Sequence, residues 1–312
     1  MKLATLFPGQ GAQKVGMGKD VCETSPAAAA VFDQAEQAVE MPLRKLCFEG
    51  PEETLARTDI CQPAIFTVSA AMLAAMGERL GDDAPRPDVT AGLSLGEYTA
   101  LYAAGGVDLA TGVRLVARRG AEMQRAAEQT DSGMVSVLGI DEETAWKLAE
   151  AAADGQVLVC ANFNCPGQVV LSGESAACKR AAELAEQFGA SGAVELKVAG
   201  AFHSELMRPA ADALSETLAE AEIRKPRVPV VSNVDARPHE DPDDIRRCLL
   251  EQLTSPVRWR QCMEYMLTDD VEKFYEVGPG RVLAGLMKRI KRRADFTSIN
   301  RADTIEKLAR TE

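Results

Sequence analysis

The chain has 312 residues, 46% hydrophobic and 26% charged, a balance typical of folded globular domains and unlike disordered, collagen-like or disulfide-stapled chains. Its 47 Asp and Glu outnumber 35 Lys and Arg, leaving a formal charge of −12. With no basic face carrying interleaved aromatics to offset that charge, a nucleic-acid partner is excluded. No run approaches the ~18 apolar residues of a membrane span, and Pro8-Gly9-Gln10-Gly11 interrupts the N-terminus before a signal-peptide core can form. A cytoplasmic location and no membrane partner are therefore expected. Eight cysteines, none in a CxxC pair or beside a histidine, read as reduced and mostly buried thiols, so metal ligation is not expected.

In chain order, Leu3-Ala4-Thr5-Leu6-Phe7 is a buried first strand stopped by Pro-Gly. Helical stretches follow over Pro26 to Val39 and Gln62 to Leu80, the second with Pro63 at its expected start. Asp88 to Gly92 reads as a strand and Leu95 to Ala104 as a helix, and this alternation favours a parallel sheet covered by helices. The middle of the chain reads differently: β over Met134 to Leu138, α over Asp141 to Ala153, β over Val157 to Asn162 and Val169 to Ser172, α over Glu174 to Phe188, β over Ala193 to Val198. That βαββαβ order is ferredoxin-like, and residues 130–198 are expected to form a small inserted domain. The α/β rhythm then resumes, with helices over Ser204 to Ala221, Asp243 to Leu253 and Arg281 to Ile290, and strands over Val228 to Ser232 and Phe274 to Val277.

Gly92-Leu93-Ser94-Leu95-Gly96 is a GxSxG sequence between a predicted strand and a predicted helix. A tight turn of that kind exposes a serine oxygen, and the backbone N–H of Leu95, at the helix start, can stabilise an oxyanion. A nucleophilic serine needs a base, and there are two histidines. His203 lies in a strand-to-helix loop, Gly200-Ala201-Phe202-His203-Ser204, whereas His239 sits in an acidic turn that reads as solvated. His203 is therefore the candidate base. Phe7-Pro8-Gly9-Gln10-Gly11 leaves the first strand at the sheet edge where the serine turn emerges, and the Gln10 N–H is a candidate second oxyanion donor. No Gly-Lys-Ser/Thr follows, so this is not a phosphate-binding loop.

These segments resemble the malonyl-CoA:acyl carrier protein transacylases of fatty acid synthesis and the related acyltransferase domains of polyketide synthases. The resemblance spans nearly the whole chain. It rests on Phe7-Pro8-Gly9-Gln10-Gly11, Ser94-Leu95-Gly96-Glu97-Tyr98, Arg114-Leu115-Val116-Ala117-Arg118-Arg119-Gly120, Asn162-Phe163-Asn164-Cys165-Pro166-Gly167-Gln168, Ala201-Phe202-His203-Ser204 and Glu276-Val277-Gly278-Pro279-Gly280. It implies an α/β-hydrolase-like large domain (1–129 and 199–312) with a parallel sheet, carrying the ferredoxin-like insert. It also implies transfer of malonyl from malonyl-CoA to the phosphopantetheine thiol of acyl carrier protein through an acyl-serine. On that resemblance Ser94 is the nucleophile, His203 the base, and the backbone N–H groups of Gln10 and Leu95 the oxyanion hole. Arg119 resembles the arginine that pairs with the malonyl carboxylate, and Gln252 the residue whose backbone carbonyl orients the histidine. Asn162 resembles a cleft residue near the substrate. Phe202 resembles the variant associated with malonyl over branched extenders. No metal or redox cofactor is implied, and a monomer is the working state. One departure is Leu93, where the family commonly has His.

Taken alone, Arg119 beside Arg118 in the helical stretch Val113 to Ala127 reads as a solvated surface charge; the motif favours a carboxylate grip that lysine could not copy. Lys288-Arg289-Ile290-Lys291-Arg292-Arg293 reads as a solvated C-terminal helix face, or alternatively as a patch for CoA phosphates or an acidic carrier protein. Other readings of the same elbow are a polyketide acyltransferase, and a thioesterase or esterase, which would normally use an Asp or Glu to orient the histidine. A non-catalytic acyl-carrier-binding subunit would not need Ser94 and His203.

Overall fold

Leu3 and Phe7 point to one side of the first strand and Ala4 and Leu6 to the other, and all four are buried, so this strand lies inside a sheet covered on both faces. The structure is a computed structural model and describes residues 1–310. Its strands are β1 (Lys2–Phe7), β2 (Val89–Gly92), β3 (Ser132–Leu138), β4 (Leu158–Cys165), β5 (Gln168–Glu174), β6 (Gly192–Glu195), β7 (Val230–Val231), β8 (Pro238–His239), β9 (Val271–Val277) and β10 (Asp295–Ile299). They form two sheets, ordered β10-β9-β1-β2-β7-β8 and β4-β5-β3-β6. In the first, every pairing is parallel except β7 with β8. In the second, every pairing is antiparallel.

One face of the parallel sheet packs against helices Thr58–Leu80 and Leu95–Ala103, on which Pro26–Val39 and Leu109–Ala127 stack, and the other against Trp259–Thr268 and Val282–Ile290. The antiparallel sheet has its own core under helices Glu142–Ala153 and Ser175–Leu184. A main-chain link ties the antiparallel sheet to the segment that enters helix Trp259–Thr268: Val257 N–H donates to Ala161 O and Phe163 N–H donates to Val257 O. Helices Thr58–Leu80 and Leu109–Ala127 approach closely at Gly120, where a Cβ would stand 2.6 Å from the Thr58 carbonyl oxygen.

Several sequence readings need correction. The helix expected to start at Pro63 starts at Thr58, and Pro63 lies inside it, near enough to the N-terminus that the N–H it lacks removes only the bond to Asp59. Thr58 N–H is satisfied by Gln124 Oε1 instead. That helix is also long and apolar enough to cross a membrane, which the sequence reading denied. It is buried between its neighbours, as an all-round apolar helix is in a large core. β10 and the helix Ala302–Leu308 follow the basic run. Helix Trp259–Thr268 and β10 fall where no element was assigned, and the strand expected over Val228 to Ser232 is reduced to two residues.

Candidate active site

β1 and β2 pair with Phe7 beside Gly92, so the loops leaving them open at one sheet edge. Ser94 sits at the turn from β2 into helix Leu95–Ala103 with φ 52° and ψ −105°, a strained conformation for a residue with a side chain. Glycine makes the turn possible, because a Cβ on Gly96 would stand 2.1 Å from the Phe7 carbonyl oxygen. Leu93 N–H donates to that same oxygen at 3.0 Å, pinning the turn to the end of β1.

His203, also at positive φ (60°), brings its Nε2 to 2.9 Å from Ser94 Oγ across 109 residues of chain. Its Nδ1 lies 2.8 Å from the backbone carbonyl oxygen of Gln252. A carbonyl only accepts, so Nδ1 carries the proton and Nε2 presents a lone pair to the serine hydroxyl. Burial, reinforced by the nearby Arg119 guanidinium, pushes His203 down to about 4 against the opposing pull of the Gln252 carbonyl. The ring is neutral at neutral pH, as a general base must be.

Arg119 is 1% exposed, so the surface-charge reading fails; Arg118 is the half-exposed neighbour and pairs with Glu122. One Arg119 Nη donates to Gln62 Oε1 at 2.8 Å, and the other to Ser94 Oγ at 3.0 Å and Gln252 Oε1 at 2.9 Å. Its Nε–H has no partner among the described residues. Gln252 Nε2 in turn donates to Glu97 Oε2 at 2.7 Å and to the Ser94 carbonyl at 3.2 Å. Glu97 also accepts from Asn233 N–H at 3.0 Å, while Asn233 Oδ1 takes the Ser94 N–H at 2.6 Å and its Nδ2 donates to Gly92 O. Burial pushes the Glu97 carboxyl up to about 7 despite these donors. One buried carboxylate thus holds both the serine turn, through Asn233, and the histidine's carbonyl partner, through Gln252.

Gln62, Glu97 and Asn233 were given no role from the sequence. Asn233 is the residue just past the expected strand Val228 to Ser232, at the carboxyl end where sheet proteins place functional side chains, and that position was a usable signal. Glu97 stands three residues after Ser94, a capping-box spacing. Gln62 carried no local signal.

A cleft of about 210 Å³ opens over Ser94 and His203. Its walls include Gln10, Leu95, Arg119, Asn162 and Phe202, so the structure gathers these predicted residues at one place, while Gln252 stands behind His203. Leu93 lines it too. His239 lies elsewhere, and its side chain is only 14% exposed and paired with Asp235 rather than solvated. The charged residues of the basic run, Lys288 to Arg293, are exposed; Lys288, Lys291 and Arg292 border a shallow hollow, while Val282 and Leu286 of the same helix face the cleft.

The chain matches the family described as acyl transferase domain over residues 5–310. It is 42% identical over 306 residues to the malonyl CoA-acyl carrier protein transacylase of Bacillus subtilis (strain 168), covering 98% of this chain and 95% of that one. The solved malonyl CoA-acyl carrier protein transacylase of Coxiella burnetii superposes with a TM-score of 0.95 at 38% identity, covering 99% of this chain and 97% of that one. A malonyl-transacylase solved with its type II polyketide synthase acyl-carrier protein superposes at 0.94 with 37% identity, over 100% of both chains.

Proposed function

The chain belongs to the acyl transferase domain family, and we infer from its full-length likeness to malonyl CoA-acyl carrier protein transacylases how its site works. It transfers the malonyl group from malonyl-CoA to acyl carrier protein. The route we propose is ping-pong. His203 Nε2 takes the Ser94 hydroxyl proton as Ser94 Oγ attacks the malonyl thioester carbon. The backbone N–H groups of Gln10 and Leu95 hold the oxyanion. The C–S bond breaks, and CoA leaves with the proton that His203 returns. The phosphopantetheine thiol then attacks the malonyl-serine ester while His203 takes the thiol proton, and Ser94 recovers its own. Arg119 pairs with the free malonyl carboxylate, and Asn162 and Phe202 shape the space around the acyl group. No metal or redox cofactor enters this route; CoA is part of the substrate.

The observation that carries the reading is the line Ser94 Oγ, His203, Gln252 carbonyl with a buried guanidinium 3.0 Å from the nucleophile. A hydrolase of this shape would normally set a carboxylate behind the histidine, and here a carbonyl stands there. We read the parallel sheet as an α/β-hydrolase-like large domain, residues 1–129 and 199–312, and residues 130–198 as a ferredoxin-like insert. The all-antiparallel order β4-β5-β3-β6 supports the insert. The eight free thiols support a cytoplasmic location. The test is intact-protein mass spectrometry after mixing with malonyl-, methylmalonyl- and acetyl-CoA. A malonyl adduct on the wild type and none on Ser94→Ala is expected. An adduct persisting on Ser94→Ala removes Ser94 from the role.

A further inference from the structure

Behind the serine turn, β8, the segment leading into it and the helix Pro242–Glu251 bring together three side chains that the transfer reaction does not use. His239 Nε2 lies 2.9 Å from Asp235 Oδ2 and 3.8 Å from Cys248 Sγ, and all three ligand atoms fall within 4.8 Å of one another. We propose that Asp235, His239 and Cys248 form a binding site for one divalent ion of the zinc class, separate from the catalytic cleft.

The spacing fits. Tetrahedral zinc with bonds of about 2.0 Å to nitrogen and oxygen and about 2.3 Å to sulfur sets its N–O and N–S edges near 3.3 and 3.5 Å. The observed separations depart from those edges by only a few tenths of an ångström, within the reach of side-chain rotation. The donor set fits too: a thiolate and an imidazole select zinc or cobalt over magnesium or calcium, which require oxygen ligands. Asp235 is braced for the task, because its second oxygen, Oδ1, accepts from Arg237 N–H at 3.1 Å and leaves Oδ2 for the ion. The Asp235 side chain is 32% exposed and supplies an entry path, whereas Cys248 is buried.

A dication held between these groups takes the thiolate form of Cys248. On binding, the S–H bond breaks, a sulfur–metal bond forms, and the thiol proton passes to the buffer. The proton shared by His239 Nε2 and Asp235 Oδ2 is relocated to Nδ1, and bound waters leave the ion.

Sequence spacing hid this site, because the ligands come from positions 235, 239 and 248 with no CxxC pattern. Its place in the fold gives it a consequence. The helix Pro242–Glu251 runs directly into Gln252, and the segment carrying Asp235 follows Asn233, so a bound ion ties together the two segments that hold His203 and Ser94. Occupancy should therefore stabilise the protein without taking part in the chemical step.

The test titrates Co²⁺ into the full chain after chelator treatment. One equivalent should produce a near-ultraviolet sulfur-to-cobalt charge-transfer band with tetrahedral visible bands, both removed by Zn²⁺. Cys248→Ser should lose the charge-transfer band, while Cys22→Ser, which alters the only cysteine that is not fully buried, should keep it. His239→Ala should weaken Co²⁺ binding by roughly 10-fold or more. One equivalent of Zn²⁺ should raise the Tm of the wild type and leave that of His239→Ala unmoved. Circular dichroism checks each fold, and His239→Ala carries the test if Cys248→Ser does not fold. A wild type with no charge-transfer band, or a band indifferent to Cys248 and His239, overturns the proposal.

Discussion

Replacing Arg119 with alanine tests where the specificity for a dicarboxylic acyl group resides. Malonyl differs from acetyl by one carboxylate, which loses its hydration in the cleft and needs a matched cation. With the guanidinium 1% exposed, the pair is desolvated. A charge-assisted bidentate pair contributes about 1.5–3 kcal/mol, a factor of about 10 to 150 in kcat/KM. The variant also loses the donor to Ser94 Oγ and leaves Gln62 Oε1 and Gln252 Oε1 unpaired. Gln252 nevertheless stays anchored by its own Nε2 to Glu97 and the Ser94 carbonyl, so His203 keeps its carbonyl partner. Acetyl transfer should therefore fall far less than malonyl transfer. Arg119→Lys, which keeps a charge but not the planar fork, should lie between. The assay is the ratio of kcat/KM for malonyl-CoA to that for acetyl-CoA in wild type and variants, with circular dichroism as the folding control. The same data carry a second signature. The Arg119 charge helps hold His203 low, so its removal should move the acid limb of acylation to higher pH. Equal losses for both substrates in a folded variant would make Arg119 structural, and an unchanged ratio would place carboxylate recognition elsewhere.

His203→Ala should slow acylation by roughly 10²–10⁴-fold. On the proposed route the base is the neutral ring, so single-turnover acylation should hold until pH falls toward about 4, and a limb near 6.5 would contradict the buried, neutral histidine. Glu97→Ala strands the buried Gln252 amide and Asn233 N–H, at about 1–3 kcal/mol each, and should lower kcat with little change in KM; Glu97→Gln, which can still accept both, should restore most of it. Glu97 is raised to about 7 in the folded protein, so its contribution is full below about 4.5 and lost as pH rises through 7. The stability difference between wild type and Glu97→Gln, read by denaturant titration, should fall across that window and stay flat if the carboxyl is not perturbed. His203, depressed instead, contributes the opposite slope, but it does so in both proteins and cancels from the difference.

What was legible in the sequence was local. The start of helix Pro26–Val39 is legible because Ser25 caps it, accepting from Ala28 N–H, and Pro26 stands at its first position. β1 announced itself by a short apolar run before Pro-Gly, and the serine turn by two glycines whose absence of a Cβ the backbone requires. The two-residue β7 was over-read, and β10, an edge strand after a basic run, was missed. Both are held by partners in the sheet rather than by their own composition. The supporting network was illegible for a related reason: Gln252 meets Ser94 across 158 residues, and Asn233 meets it across 139. No local pattern encodes such distances.

Arg119 lies between those cases, and its neighbourhood shows what a closer reading of the helix phase would yield. The buried positions Gly112, Val116, Met123 and Ala126 of helix Leu109–Ala127 recur at steps of three, four and seven, and Arg119 falls on that stripe between Val116 and Met123. Arg118, one position and about 100° around the helix, falls off it and is solvated. The pair is indistinguishable by composition and fully distinguished by phase. An arginine on an apolar stripe must either be neutralised or bind an anion, because an isolated buried charge is not tolerated. Here its partners are two glutamine oxygens, a serine hydroxyl and the ring of Tyr98 at 5.5 Å, all uncharged, and the buried carboxylate of Glu97 bonds Gln252 and Asn233 instead. The guanidinium therefore holds an undischarged positive charge against Ser94 Oγ. That arrangement is costly in a folded protein and useful only if an anionic substrate completes it.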